Sequence, residues 1–199
     1  MSYAAVSPRV LADTYRLSKL HDLAVVLSAT AFISLMAQVA IPLPFTPVPL
    51  TGQTLAVLLT AAAVGLWRAT TSTSLYLALA LAGAPVLAPQ SDGTHITGTA
   101  VFGMASFGYV VGFIVAGVVV GALAERGFTR NALRTALAMV IGNLVIYSIG
   151  VPVLMMATGA DFATAISWGV TPFVVGDVIK VIIAAGLLPS AWKLASLKK

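Results

Sequence analysis

Long apolar runs separated by short polar or proline-rich breaks fill most of the chain. The runs cover residues 23–41, 52–67, 69–88, 101–124, 132–157 and 172–192. An α-helix of about 20 apolar residues is long enough to cross the hydrocarbon layer of a membrane. The pattern therefore predicts an all-α integral membrane protein, with a six-helix transmembrane domain over residues 22–192.

The breaks between the runs have physical causes. Four prolines lie within 42–50 and exclude a helix there, because proline lacks the amide hydrogen that a helix needs. Arg68 is expected to separate the second and third runs. Segment 89–98 is polar and contains glycine, which is typical of a loop. The charged segment 125–131 predicts a turn, and Gly159 to Asp161 is expected to separate the last two runs.

Basic residues lie on one side of this predicted topology. The loops 42–50, 89–100 and 158–171 contain no lysine or arginine. The N-terminal segment, the two other turns and the C-terminal tail contain Arg9, Arg16, Lys19, Arg68, Arg126, Arg130, Arg134, Lys193, Lys198 and Lys199. Cytoplasmic loops of membrane proteins are enriched in basic residues. Both termini are therefore expected in the cytoplasm, as an N-terminal segment over 1–21 and a basic tail over 193–199.

The composition supports a membrane protein and argues against several other classes. Only 9% of the residues are charged and 59% are hydrophobic, too few charges to cover a soluble domain of this size. The one-sided charge also explains the pI near 9.8 without a nucleic acid partner. The chain has no cysteine and no P-loop motif, and its two histidines, His21 and His95, are predicted on opposite sides. We therefore expect neither a metal site nor an enzyme.

Asp177 and Lys180 are an acid and a base within the last apolar run. A charged residue inside a membrane helix costs about 2.5–3.5 kcal/mol on insertion scales and usually has a function. Two interpretations remain open. The two residues, three apart, either neutralise each other as a structural ion pair, or they form a polar ligand site open to the outside. Such a site would suit a small solute that carries both N–H groups and an oxyanion.

Other polar residues are expected at a similar depth in neighbouring helices. The candidates for ligand binding are Gln53, Tyr109, Asn143 and Tyr147. Three of them also have a simpler interpretation: Gln53 and Asn143 as residues that form hydrogen bonds between helices, and Tyr147 as an aromatic residue of the membrane interface.

Small residues form a stripe along the first predicted helix. Ala24 and Ser28 lie four residues apart, and Ala31 is close to them. Small residues allow membrane helices to approach closely. The stripe either packs inside this protein or docks to another membrane subunit.

Two motifs in combination resemble the BioY family, the biotin-specific substrate-binding (S) components of energy-coupling-factor (ECF) transporters. They are Pro-Val-Pro-Leu-Thr-Gly-Gln-Thr over 47–54 and Pro-Phe-x-x-Gly-Asp-x-x-Lys over 172–180. The resemblance implies six helices with cytoplasmic termini and high-affinity biotin binding near the outer surface. It implies that Asp177 and Lys180 contact the ligand, and that the small-residue motif, which falls near Ala31, contacts a transmembrane coupling subunit.

The resemblance also implies partners in the cell membrane. Without an ATPase motif of its own, such a subunit needs ABC-type ATPase subunits as well as the coupling subunit. The resemblance implies no cofactor. The alternatives are a proton-coupled secondary carrier for a small anionic solute, with Asp177 as the proton site, and a structural membrane scaffold.

Overall fold

The computed structural model describes residues 9–14 and 18–197, and these are mostly helical. The α-helices are α1 (Lys19–Gln38), α2 (Gln53–Val64), α3 (Leu66–Leu81), α4 (Phe107–Glu125), α5 (Ala132–Thr158), α6 (Phe162–Gly169) and α7 (Val174–Ser196). Short 3-10 helices cover Leu11–Thr14, Gly98–Gly103, Phe128–Arg130 and Thr171–Phe173. Arg16, Lys198 and Lys199, which belong to the predicted cytoplasmic segments, lie outside the described residues.

Two very short strands depart from the predicted all-helical structure. β1 (Ala40–Ile41) pairs antiparallel with β2 (Leu50–Thr51) and closes the proline-rich loop between them. Ala40 lies opposite Thr51 in this pair. The ribbon fixes the position at which α2 begins.

Among the residues that the structure describes, four helical stretches are long and apolar enough to cross a membrane. They are α1, α4, α5 and the stretch Phe162–Ser196 that contains α6 and α7. α2 has 12 residues and α3 has 16, which is short for a full crossing.

The connection between α3 and α4 is longer than predicted. The third helix was expected to reach residue 88, but α3 ends at Leu81. Gly83 has a φ of 98°, its N–H bonds to Ala80 O, and the next N–H bonds to Leu79 O, which is the Schellman motif that ends helices. The fourth helix was expected to begin at residue 101, but α4 begins at Phe107, and residues 98–103 form a 3-10 helix.

The predicted break at Arg68 is wrong, because the break lies at Gly65. Gly65 has a φ of 87°, a conformation that favours glycine. Arg68 lies inside α3 with 6% of its surface exposed. Its guanidinium is 2.9 Å from Asp13 Oδ1 and 2.8 Å from Asp22 Oδ1, so the charge is paired within the protein.

The helices form one bundle around α4, which packs against α2, α3 and α5. At one end of the bundle, the Arg68 ion pairs join the N-terminal segment to α3, and Trp192 Nε1 donates to Thr129 Oγ1. At the other end, Thr46 Oγ1 donates to Trp168 O, and Gln38 Nε2 donates to Val86 O. The loops that the sequence assigns to the outer side therefore meet at one end of the bundle.

Candidate functional site

Asp177 is a buried carboxylate in the first turn of α7. The helix begins at Val174, and the positive end of its dipole favours an anion in the first turn. Only 6% of the Asp177 surface is exposed. The hydroxyl of Tyr147, from α5, donates a hydrogen bond to Asp177 Oδ2.

Lys180 lies one turn deeper on the same face of α7. Its Nζ is 3.4 Å from Asp177 Oδ1 and donates to Thr54 Oγ1 of α2 at 2.6 Å. The two charged side chains thus form the structural ion pair that was one of the two interpretations of the sequence. The pair is also part of a cavity wall, so the two interpretations of these residues are compatible.

The acid–base pair lines a cavity between α2, α4, α5 and α7, at the end of the bundle where the outer loops meet. The cavity has about 570 Å³ of space free of atoms, including its open mouth. Its wall is mostly apolar, with a few polar groups, as is usual for small-molecule sites. The lining residues are Val48, Pro49, Thr51, Gln53, Thr54, Leu87, Ala88, Met104, Ser106, Tyr109, Val110, Phe113, Tyr147, Phe173, Asp177 and Lys180.

Gln53 reaches the cavity from the first residue of α2, and two neighbours hold its amide. Its Nε2 donates to Tyr76 Oη at 2.5 Å, and its Oε1 accepts from Thr51 Oγ1 at 3.0 Å. Tyr76 is fully buried in α3. A primary amide has two N–H groups and two lone pairs on oxygen. One N–H and one lone pair of Gln53 therefore remain for a ligand.

Replacing Tyr76 by Phe is expected to lower the free energy of unfolding by about 0.5–1.5 kcal/mol, the usual net value of one hydrogen bond. The substitution removes only the hydroxyl that accepts from Gln53. Thermal unfolding of the purified protein in detergent measures the effect. Thr71→Val is the control, because it removes a hydroxyl of α3 that bonds only to its own helix, at Trp67 O. Equal stability of native protein and Tyr76→Phe would contradict the anchoring of Gln53 by Tyr76.

Tyr109 contributes its ring rather than its hydroxyl to the cavity. Its hydroxyl donates to Gly169 O at 2.9 Å, which ties α4 to the end of α6. Its ring meets the ring of Tyr147 edge to face, with centroids 6.4 Å apart. The two tyrosines therefore form a rigid aromatic wall beside Asp177.

Asn143 is the one predicted ligand-binding residue that does not line this cavity. It lies one turn along α5 from Tyr147 and has 9% of its surface exposed. It lines a smaller cavity deeper in the bundle, whose wall also contains Thr54 and Lys180. The structure thus brings Gln53, Tyr109, Tyr147, Asp177 and Lys180 together and places Asn143 one layer below them.

The sequence interpretation missed several residues of the cavity wall. Thr54 bonds to Lys180, yet a threonine inside an apolar helix gives no distinct signal. Phe173 and Met104 are apolar residues in an apolar chain, so composition does not mark them, although Phe173 belongs to the 172–180 motif. A partial signal existed for Thr54, which belongs to the 47–54 motif.

The small residues of α1 are on the outside of the bundle. Ala24, Ser28 and Ala31 are all exposed. Ala24 and Ser28 line a groove beside α2, where Leu59 and Ala63 form part of the opposite wall. Ala31 lies outside the groove. The stripe therefore does not serve packing within the described part of this chain.

No group of three or more histidine, aspartate or glutamate side chains within residues 9–14 and 18–197 is arranged to hold a metal ion. The polar groups of the cavity can instead bind a small organic solute. Asp177 can accept hydrogen bonds and Lys180 can donate them, and the wall around the two residues is aromatic and aliphatic.

Comparison with known proteins gives one consistent result. Residues 10–197 match the model of the BioY family. A protein of Rhizobium etli named biotin transporter BioY is 32% identical over 80% of this chain and 86% of its own length. A protein of Thermotoga maritima with the same name is 36% identical over 78% of this chain and 86% of its own length.

A solved structure has the same fold. It is described as the S-component for biotin from an ECF-type ABC transporter. It superposes with a TM-score of 0.76 at 24% identity, and the match covers 89% of this chain and 95% of the other. At this identity the likeness establishes the fold, which is that of an S-component.

Proposed function

The chain belongs to the BioY family, and from this premise we propose that it is the biotin-binding subunit of an ECF-type uptake system. One observation supports a binding role above all others. A buried acid and a buried base face a single cavity, and a hydroxyl from α5 and another from α2 hold them in place. A site with fixed polar groups and apolar walls binds a ligand with little reorganisation.

The chemistry of the cavity matches that of biotin. The ureido ring of biotin offers two N–H groups and a carbonyl oxygen, and its side chain ends in a carboxylate. Asp177 accepts from the ureido N–H groups, and Lys180 donates to an oxygen of the ligand. The rings of Tyr109, Tyr147 and Phe173 and the aliphatic side chains around them contact the fused rings.

We place the protein in the cell membrane as six helices with both termini in the cytoplasm. The charge count supports this orientation, because every Lys and Arg except Lys180 falls in a segment assigned to the cytoplasmic side. Of these residues, Arg68 and Arg130 lie at the bundle end opposite Asp177. α2 and α3 then act as a pair of short helices, joined at Gly65 and tied to the cytoplasmic end by the Arg68 ion pairs. The cavity opens to the outside in this arrangement.

Cysteine labelling in intact cells is expected to show this orientation. The chain has no native cysteine, so a single introduced cysteine gives an unambiguous signal. Ser91→Cys is expected to react with a membrane-impermeant maleimide, and Arg126→Cys is not. Both positions are exposed. After the cells are permeabilised, both cysteines are expected to react.

Arg126 is a better position for this experiment than Asn131 in the same turn. The Asn131 side chain accepts hydrogen bonds from the N–H groups of Leu133 and Arg134 and so caps α5. A cysteine there would remove the cap at a cost of about 1 kcal/mol. If only Arg126→Cys were labelled in intact cells, the orientation would be the opposite one and the cavity would lie on the cytoplasmic side.

Active uptake through this protein requires other subunits. The sequence contains no P-loop, so ATP hydrolysis has to come from separate ABC-type ATPase subunits. The groove beside Ala24 and Ser28 is the surface that we assign to the transmembrane coupling subunit. Its small residues allow a helix to approach closely within the membrane.

Uptake of labelled biotin by cells tests the function. Cells that contain this chain with its coupling and ATPase subunits are expected to accumulate biotin, and an ATPase subunit that cannot hydrolyse ATP is expected to abolish accumulation. Dissipation of the proton gradient at constant ATP is expected to have little effect. Uptake that needs the proton gradient but not the ATPase would support the secondary carrier with Asp177 as its proton site.

A further inference from the structure

A buried amide oxygen lies beneath the binding cavity without a partner. Asn143 Oδ1 is inaccessible to solvent and accepts no hydrogen bond from any residue that the structure describes. Buried polar atoms in native proteins almost always have a partner in the protein or in bound water. An exception in a well-packed helix therefore calls for an explanation.

The small cavity beside Asn143 shows where the missing hydrogen-bond partner can lie. The deeper cavity is lined by Thr54, Leu55, Leu58, Met139, Asn143, Lys180 and Val181. Three of these side chains are polar and the rest are apolar. The space free of atoms is about 180 Å³, including its opening, and the part that a water-sized sphere can occupy is about that of one water molecule. A buried water usually bonds to two to four polar groups. The cavity thus has both the size and the partners for a single water.

Lys180 forms the partition between the two cavities. It lines both, as does Thr54, which accepts from its ammonium. An ammonium group has three N–H donors. Thr54 accepts one at 2.6 Å, and Asp177 Oδ1 lies 3.4 Å from the nitrogen. The 3.4 Å contact with Asp177 is longer than the usual hydrogen bond of about 2.7–3.2 Å and is mainly ionic. Besides the donor to Thr54, one donor is therefore available to the ligand and one to an acceptor in the deeper cavity.

We propose that a buried water bridges Lys180 Nζ and Asn143 Oδ1 in the deeper cavity, and that Asn143 thereby positions the Lys180 ammonium for the ligand above it. The role of the ligand rests on the proposed biotin function. The water accepts from Lys180 and donates to Asn143. Asn143 is then a positioning residue that does not touch biotin itself.

The proposal explains why a polar residue occupies this place. Because no described protein group bonds to the Asn143 amide oxygen, an apolar residue of similar size at this position breaks no hydrogen bond to that oxygen within the described protein. Leucine would therefore fill the site without a loss of stability. The amide is useful because a lysine side chain has many rotamers, and a fixed acceptor below the ammonium selects one of them before the ligand arrives.

The test compares four proteins by biotin titration and by thermal unfolding without biotin. They are the native protein, Asn143→Leu, Asn143→Asp and Met139→Leu. Asn143→Leu is expected to bind biotin about three- to tenfold more weakly, as for the loss of one hydrogen bond, while its unfolding temperature stays equal or rises. Asn143→Asp keeps an acceptor of the same shape and is expected to restore most of the affinity. Met139→Leu changes an apolar wall of the same cavity and is expected to change neither property.

Two outcomes would overturn the positioning role. Native affinity in Asn143→Leu would show that Lys180 needs no help from α5. A lower unfolding temperature together with weaker binding would show that Asn143 serves helix packing. A crystal structure of the native protein tests the water directly. An ordered water about 3 Å from both Asn143 Oδ1 and Lys180 Nζ is expected, and an empty cavity or a direct contact between the two side chains would overturn the bridge.

The design separates this proposal from the proposed function. If the native protein does not bind biotin at all, the function fails, and the water and the unfolding temperatures still test the deeper cavity. If the native protein binds biotin and Asn143→Leu binds it equally well, only the positioning role fails.

Discussion

Replacing Asp177 by Asn is expected to weaken biotin binding by about ten- to a hundredfold. The substitution keeps the shape of the side chain and removes its charge. A hydrogen bond to a charged group contributes about 1.5–3 kcal/mol, and each 1.4 kcal/mol corresponds to a tenfold change in affinity. Lys180 also loses the anion that lies 3.4 Å from its ammonium. Titration of both purified proteins with biotin measures the difference.

Asp161→Asn provides the matched control for this substitution. Asp161 is an exposed acid at the same end of the bundle, and its side chain caps α6 by accepting from Thr164 N. Asparagine is about as good an N-cap as aspartate, so the control keeps the helix intact. A well-folded Asp177→Asn variant with native affinity would contradict a ligand role for Asp177 and leave it only the structural ion pair.

Replacing Ser28 by Trp is expected to abolish ATP-driven uptake while biotin binding persists. Ser28 is exposed and lines the groove beside α2, so an indole ring there fills the surface that we assign to the coupling subunit. Contacts between membrane helices depend on close packing of small residues. Ser28 does not line the binding cavity, which is formed by residues of α2, α4, α5, α7 and the outer loops. The substitution therefore leaves the cavity wall unchanged. Co-purification of the partner subunits and uptake by cells measure the effect.

Leu144→Trp is the control for added bulk. Leu144 lies on α5, is 62% exposed, and is away from the groove. The Leu144→Trp substitution is expected to leave assembly and uptake unchanged. Normal assembly of Ser28→Trp would move the docking surface away from this groove. A parallel loss of biotin binding would show that Ser28 contributes to the packing of the bundle.

Helices with strong local end signals were predicted closely. α5 was expected over 132–157 and covers Ala132–Thr158, since Asn131 caps its first turn and Gly159, with a positive φ of 71°, ends it. α7 was expected over 172–192 and covers Val174–Ser196, so it begins two residues later and ends four residues later than predicted. α6 was missed because its eight residues lie in a segment that resembled a loop.

Features that depend on distant partners were beyond sequence reasoning. Arg68 looked like a turn residue, and its burial follows from carboxylates 46 and 55 positions away in the chain. The same limit applies to the site. Asp177 and Lys180 are conspicuous as charges in an apolar run, so they were found. The depth of Asn143 depends on how α5 is rotated against α7, and neither helix encodes that rotation by itself.

Calorimetric titration of the purified native protein with biotin tests the central claim most directly. The cavity beside Asp177 and Lys180 is expected to bind one biotin per chain with saturable heat, and Asp177→Asn is expected to reduce the affinity under the same conditions. A folded native protein that gives no saturable binding of biotin would contradict the account.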